Sequence, residues 1–252
     1  MASLADIGYP RNDESLRPII DQVLDCWLAP YYRYQDPFIE GKARRCASQQ
    51  GNALFSILRL CDWQDDRVDT LVRLLLSWQW PDGGWNCDVR PEAKISSFWE
   101  SLIPLHSLAL YARLYDNPDV SVACRRAAEL FLARKMYLSR STGTVMHKDF
   151  IQLHYPCYWH YDILFGLKVM VEAGFIDHPN CAQALDLLES KRLPDGGWPA
   201  EAKYYRILKS QPTRTVSNVD HIVWDGVSKL CINEWVTVDA LLVLRAAGRL
   251  NL

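Results

Sequence analysis

The sequence predicts an all-α protein built from repeated helical hairpins, and two observations carry this prediction. The five-residue motif Pro-Asp-Gly-Gly-Trp occurs twice, at residues 81–85 and 194–198. Each copy follows an apolar helical pattern, over 71–78 and 182–191. Proline cannot continue a helix, and adjacent glycines permit a tight turn directly after it. A stop-and-turn signal that returns in the same form indicates a repeat of two-helix units.

The repeat unit is predicted as an outer helix, a glycine-rich turn and an inner helix. The two turns lie 113 residues apart, twice a period of about 56 residues. One period after the first, Ser-Thr-Gly-Thr at 141–144 follows a helical pattern over 127–137 and resembles a degenerate third copy. Inner helices are predicted at 97–114, 158–173 and 234–247, and 52–60 as the inner helix of an earlier unit. We expect Trp85 and Trp198 to be buried beneath their turns.

The remaining segments complete one predicted domain, 1–252. Residues 1–45 are predicted to pack on the hairpins as a loose polar start (1–16), a helix (16–28) and an irregular aromatic stretch (31–42). Before the last inner helix, 207–232 is long for a simple connection. Its length favours a lid or a binding loop.

Composition argues against several classes of function. The net charge is -2 and no tract is rich in lysine or arginine, so nucleic acid is not an expected partner. The sequence has no apolar run of about 18 residues and no signal-peptide pattern, which predicts a cytoplasmic protein without a transmembrane segment. The eight cysteines include no Cys-x-x-Cys pair and are expected to be reduced thiols. The oligomeric state is left open.

One copy of the turn resembles the motif of a known family. Gln79-x-x-x-Gly83-x-Trp85 matches the Gln-x-x-x-Gly-x-Trp (QW) motif of squalene and oxidosqualene cyclases. The hairpin period is similar to the repeat that these terpene cyclases share with protein prenyltransferase β-subunits. The resemblance covers roughly 45–250, and it implies that the hairpins close into an α/α toroid, a barrel whose inner helices surround a central cavity. The second copy departs from the motif, because Arg192 stands in the glutamine position.

An acidic run precedes the first complete hairpin. Asp65-Asp66-x-x-Asp69 resembles the signature with which class I terpene synthases hold magnesium diphosphate. It stands at the start of an outer helix, where carboxylates cap free amides and complement the helix dipole. Helix capping is therefore the favoured interpretation. The Asp-x-Asp-Asp acid of class II cyclases is absent.

The first candidate site follows the first turn, where Cys87 and Asp88 stand side by side. A thiolate and a carboxylate can bind a metal or serve as nucleophile and acid/base. In protein prenyltransferases a similar acid–cysteine pair binds zinc with a histidine about one repeat later, so the resemblance implies His160, or His154, as the third ligand. Three such ligands leave a zinc position open for chemistry. A metal-free catalytic site and a purely structural role remain alternatives.

The second candidate feature is a set of acids and aromatic residues at equivalent positions of the repeat. If the inner helices run parallel, as the resemblance implies, their first turns meet at one rim of the cavity. Crowded carboxylates repel each other there, so some should have raised pKa values. The predicted catalytic residues are Cys87, Asp88, His160, Asp162, Glu234 and Asp239. The predicted substrate contacts are Trp99, Glu100, Tyr158, Trp159, Tyr161 and Trp235. Taken singly, each acid could equally be a helix cap.

These features predict a terpene-cyclase or prenyltransferase-like enzyme. Its substrate would be a small apolar or isoprenoid-like molecule in an aromatic and acidic cavity, and its chemistry would be acid/base or zinc-assisted. The tryptophans and tyrosines equally suit a non-catalytic protein that binds a hydrophobic ligand or a peptide. A zinc-dependent hydrolase or lyase with a non-terpenoid substrate is the third alternative.

Overall fold

The computed structural model describes residues 1–29, 38–62, 65–207, 219–220, 222, 224 and 226–250. This part of the chain is mainly helical, which confirms the predicted all-α class. Its helices are α1 (Ala2–Asp6), α2 (Arg17–Leu28), α3 (Ala47–Leu60), α4 (Asp66–Trp78), α5 (Phe98–Leu114), α6 (Pro118–Leu132), α7 (Ile163–Glu172), α8 (Ala182–Ser190) and α9 (Glu234–Ala246). Two-residue strands pair twice, β1 (Phe38–Ile39) antiparallel to β2 (Lys42–Ala43) and β3 (Arg206–Ile207) parallel to β4 (Val219–Asp220). None of these helices has the length and apolar character that crossing a membrane requires.

The chain divides into two compact units, Met1–Phe131 and Leu132–Leu252, with the boundary at the end of α6. The single domain over 1–252 and the closed toroid stay predictions. The lid expected at 207–232 falls largely outside the described residues, so it stays a prediction as well.

The first unit is organised around α5, which packs along α3. Almost every side chain of α5 up to Tyr111 is buried, as expected for a helix that is apolar on all faces. Gly51 of α3 lies against the main chain of Ile103 and Pro104, and a Cβ there would come within 3.0 Å of both residues. The absence of a side chain at Gly51 therefore sets the close approach of the two helices. Helices α1, α2 and α4 also pack on α3.

The second unit is organised around α7, which packs against α9 and α8. An ion pair between Lys168 of α7 and Asp239 of α9, with an N–O distance of 2.8 Å, joins these two helices. Asp162 caps α7 by accepting a hydrogen bond from the Phe165 amide (2.8 Å), and Asn233 caps α9 in the same way. These caps satisfy amides that the first turn of a helix leaves without partners.

The two Gly-Gly-Trp turns share the same hydrogen bonds. Trp85 and Trp198 are buried as predicted, at 1% and 0% exposure. The Trp85 indole donates to the Leu75 carbonyl (2.9 Å) in the last turn of α4, and the Trp198 indole donates to the Leu188 carbonyl (2.7 Å) in the last turn of α8. Each tryptophan thus helps to cap the outer helix that precedes its turn.

The departure at Arg192 preserves this geometry. Gln79 Nε2 donates to the carbonyl of Gly83 at 2.7 Å, and Arg192 Nε donates to the equivalent carbonyl of Gly196 at 2.9 Å. Arginine and glutamine both place an N–H donor at the end of a long side chain. The substitution therefore keeps the bond that closes the turn.

Several predicted boundaries were wrong. The helix expected over 127–137 begins earlier, at Pro118, and ends at Leu132, because Lys135 and Met136 take positive φ angles and the Tyr161 hydroxyl binds the Met136 carbonyl. The helix expected at 158–173 begins only at Ile163, after the cap Asp162. The earlier inner helix begins at Ala47 rather than at residue 52, and part of the loose start, 1–16, forms α1.

The acidic run at 65–69 lies at the start of α4. Asp65 caps this helix by accepting a hydrogen bond from the Arg67 amide, which supports the capping interpretation.

Candidate functional site

Among the residues that the structure describes, we single out two groups of chemically reactive side chains, one in each unit. In the first unit, Cys46, Cys87 and Glu100 form what we call the Cys-Cys-Glu cluster. In the second unit, the acid-aromatic cluster consists of a carboxylate with its neighbours and a stack of rings. Its members are Asp162, His154, Cys157, Tyr204, His160 and Trp159.

Three separate elements supply the Cys-Cys-Glu cluster. Cys46 is the N-cap residue of α3, Cys87 follows the buried Trp85, and Glu100 lies in the first turn of α5. Their sulfur and carboxylate oxygen atoms all lie within 4.8 Å of one another. Within the described part of the chain this is the only such group of three drawn from cysteine, histidine, aspartate and glutamate.

Hydrogen bonds orient the members of this cluster. The Cys87 thiol donates to Glu100 Oε1 at 3.7 Å, and the Ser48 amide of α3 donates to Glu100 Oε2 at 3.1 Å. Burial raises the pKa of Glu100 although these bonds oppose the shift. The hydrogen bond between the two thiols lowers the pKa of Cys46 and, with burial, raises that of Cys87 far above its ordinary value. None of the eight cysteines forms a disulfide in this structure.

Asp88, the predicted partner of Cys87, faces a different group. Its carboxylate accepts from Arg90 Nε at 2.9 and 3.0 Å, and this contact lowers the pKa of Asp88 to about 2. Its main-chain carbonyl accepts from Arg44 at 3.1 Å. The third predicted ligand, His160, belongs to the second unit. The predicted set Cys87, Asp88 and His160 stays a prediction.

Asp162 anchors the acid-aromatic cluster and is completely buried. Its Oδ1 caps α7, while its Oδ2 accepts from the His154 amide at 2.8 Å. The same Oδ2 atom contacts His154 Nδ1 at 3.2 Å and the Cys157 thiol at 3.4 Å. A buried carboxylate that contacts an imidazole can hold a proton and transfer it.

Four rings stack on one another beside this carboxylate. Tyr204 lies between His154 and His160, with ring centroids 3.9 and 3.8 Å apart, and Trp159 covers the other face of His160 at 3.8 Å. His154 is buried, whereas Trp159 is 38% exposed, so the stack leads from the surface to the acid. Burial lowers the pKa of His160 and raises that of Tyr204. Both shifts favour the neutral rings.

The other predicted residues have varied environments. Asp239 pairs with Lys168, Glu234 is exposed in the first turn of α9, and Trp99 is half-buried on α5. Tyr161 is fully buried and donates to the Met136 carbonyl at 2.6 Å. Tyr158 has a positive φ of 54° and meets Tyr205 edge-on, and Trp235 stacks on Tyr155 at 5.3 Å.

Comparison with known proteins returned no matching family model and no matching curated protein. The assignment of a site therefore depends on the residues of this chain.

Three members of the two clusters had no predicted role. Cys46 precedes α3, and Tyr204 lies in a segment that resembles a connection between helices. Cys157 stands in the stretch from which His154 and His160 were selected. Cys46 is the N-cap of α3, a position that favours a thiolate, but the helix was predicted to begin only at residue 52, so the sequence did not indicate this role. No sequence pattern that we recognise indicates Tyr204.

Proposed function

We propose that this protein is an enzyme of the terpene-cyclase and prenyltransferase-like class. It acts by acid/base chemistry on a small, largely apolar or isoprenoid-like substrate, with no nucleic-acid partner. We further propose that its hairpins close into an α/α toroid and that it works in the cytoplasm. The two QW-like turns, with their shared hydrogen bonds, support the comparison with that class.

The observation that carries the enzymatic proposal is the buried Asp162 in contact with His154. In our mechanism this pair donates a proton to a carbon–carbon double bond of the substrate, which leaves a carbocation. A second double bond of the substrate attacks that carbocation and closes a ring. The ring closure leaves a new carbocation, and the pair removes a proton from it to form the neutral product, so the reaction needs no further reactant. Aromatic faces attract positive charge, which is the role we give to the stack from Tyr204 to Trp159.

The test is turnover of squalene, oxidosqualene and farnesol, each offered in detergent micelles in heavy water. Cyclised or isomerised products that carry deuterium would demonstrate proton transfer from solvent-exchanged groups. Asp162→Asn should lower turnover by roughly 10²- to 10⁴-fold, the usual contribution of a general acid. Asp177→Asn is the matched control, because Asp177 is exposed in the turn that follows α7 and belongs to neither cluster. A folded Asp162→Asn variant with undiminished turnover would refute the mechanism.

A non-catalytic ligand-binding protein is the second candidate, and one observation favours it. Both oxygens of Asp162 already have partners in the protein, as in a purely structural helix cap. Intrinsic tryptophan fluorescence would follow binding of the same three compounds. Binding without conversion, unchanged in Asp162→Asn, would support this candidate over the enzyme.

A further inference from the structure

The Cys-Cys-Glu cluster has the composition of a metal site that the proposed acid/base mechanism does not use. Two thiols and a carboxylate form a donor set that suits zinc, whereas magnesium and calcium prefer oxygen ligands alone. Three protein ligands are also the number found in zinc sites that keep one position for water or substrate. We propose that Cys46, Cys87 and Glu100 bind a zinc ion with its fourth coordination position open.

The spacing of the donor atoms fits a tetrahedral ion. Zinc–sulfur bonds of about 2.3 Å and a zinc–oxygen bond of about 2.0 Å place sulfur ~3.5 Å from oxygen and the two sulfurs ~3.8 Å apart. Cys87 Sγ lies 3.7 Å from Glu100 Oε1, and all three donor atoms lie within 4.8 Å. Zinc can therefore enter with only small movements of the side chains.

The supporting contacts leave the correct atoms available for the ion. The Ser48 amide donates to Glu100 Oε2, so Oε1 is the oxygen that contacts the Cys87 sulfur. Such contacts to ligand side chains commonly orient them for the metal. Cys46 stands at the start of α3 and Glu100 in the first turn of α5, and these two helices pack together. The buried Trp85 fixes the chain two residues before Cys87.

Charge balance also favours a divalent cation. Binding releases the thiol protons of Cys46 and Cys87 to solvent, and the carboxylate of Glu100 binds ionised. Zinc then leaves the cluster with one negative charge. The guanidinium of Arg45 interacts electrostatically with Cys46 and offsets that charge. When bound, the ion would supply Lewis-acid chemistry at its open position.

The test uses the full chain with zinc chloride as the probe. The protein is stripped with a chelator, loaded, freed of excess metal by gel filtration and submitted to elemental analysis. We expect about one zinc per chain. Cys46→Ser, Cys87→Ser and Glu100→Gln should each weaken binding by at least ~10-fold, as measured by competition with a zinc indicator. Cys26→Ser, which changes an exposed thiol, is the matched control and should bind as the wild type does. Asp88→Asn should also keep its zinc, which distinguishes this site from the ligands predicted from the sequence.

Two further measurements separate the outcomes. Cobalt in place of zinc should give thiolate charge-transfer absorption and the visible bands of a tetrahedral ion, both reduced in Cys87→Ser. Circular dichroism checks that each variant is folded. A metal-free protein that has lost two free thiols would indicate a Cys46–Cys87 disulfide and overturn the proposal.

Other results would also overturn it. No bound zinc in the loaded wild type, with all thiols free, would exclude the site. Zinc that is lost in Asp88→Asn or His160→Ala but kept in Glu100→Gln would support the ligands predicted from the sequence instead. The acid/base proposal is tested by different variants, in the second unit, so either proposal can fail without the other.

Discussion

Trp85 provides the sharpest test of how the repeat turn is held together. The side chain is 1% exposed, and its indole donates to the Leu75 carbonyl at 2.9 Å. Leu75 lies in the last turn of α4. If the helix continued, the amide of Gln79 would donate to the Leu75 carbonyl, but it donates to the Leu76 carbonyl. Phenylalanine at position 85 would remain apolar and planar but could not donate this bond.

The expected cost of Trp85→Phe follows from two losses. A buried carbonyl that loses its donor costs about 1–3 kcal/mol. The indole also has two more ring carbons than the phenyl ring, which at ~0.8 kcal/mol per buried carbon group adds about 1.6 kcal/mol. The free energy of unfolding should therefore fall by about 3–5 kcal/mol, and Trp198→Phe should behave similarly because it loses the same kind of bond.

Urea unfolding followed by far-ultraviolet circular dichroism measures this difference, since a shifted midpoint with an unchanged slope reports stability alone. Trp159→Phe is the control, because Trp159 is 38% exposed and lies outside the repeat turns. It should cost less than about 1 kcal/mol. If Trp85→Phe costs no more than Trp159→Phe, the indole bond and its burial do not stabilise the turn.

Three further predictions use the same unfolding measurement. Arg192→Gln should keep the free energy of unfolding within about 0.5 kcal/mol of the wild type, because glutamine can also donate to the Gly196 carbonyl. Arg192→Leu cannot donate this hydrogen bond and should lower the free energy of unfolding by about 1 kcal/mol. Equal effects of the two variants would contradict this account. Gly84→Ala should cost about 1–3 kcal/mol, because the new Cβ would overlap Ser101 and Leu130, while Gly226→Ala, with open space around it, should be neutral. Burial lowers the folded-state pKa of His160, so as pH falls below about 6.5 the unfolded chain takes up a proton first and stability declines. His160→Gln should lose that part of the pH dependence, and an identical profile in both proteins would refute it.

The fold was predictable where its signals are local. Proline, paired glycines and tryptophan within five residues determine each turn, so the burial of Trp85 and Trp198 followed from the sequence. Helix ends that depend on distant contacts were not predictable. The second inner helix begins at Ile163 because Asp162 is held by the main chain and ring of His154, and no periodicity in 158–173 indicates that contact.

The candidate sites were likewise predictable only where their signals are local in the sequence. Cys87 and Glu100 were both selected from the sequence, but for different roles, and Cys46 was not selected. Their meeting depends on how closely α3 approaches α5, which Gly51 and Pro104 determine. Residue spacing does not report a distance of that kind between helices.

The cap of α9 shows which contacts of Asp162 are needed for capping α7 and which are not. Asn233 caps α9 with a neutral amide, accepting from the Val236 amide at 3.0 Å much as Asp162 accepts from the Phe165 amide at 2.8 Å. Capping alone therefore requires an oxygen acceptor but not a carboxylate. The additional contacts of Asp162 with the imidazole of His154 and the thiol of Cys157 are what capping leaves unexplained. For this reason Asp162→Asn should preserve the cap of α7 while it removes the acid.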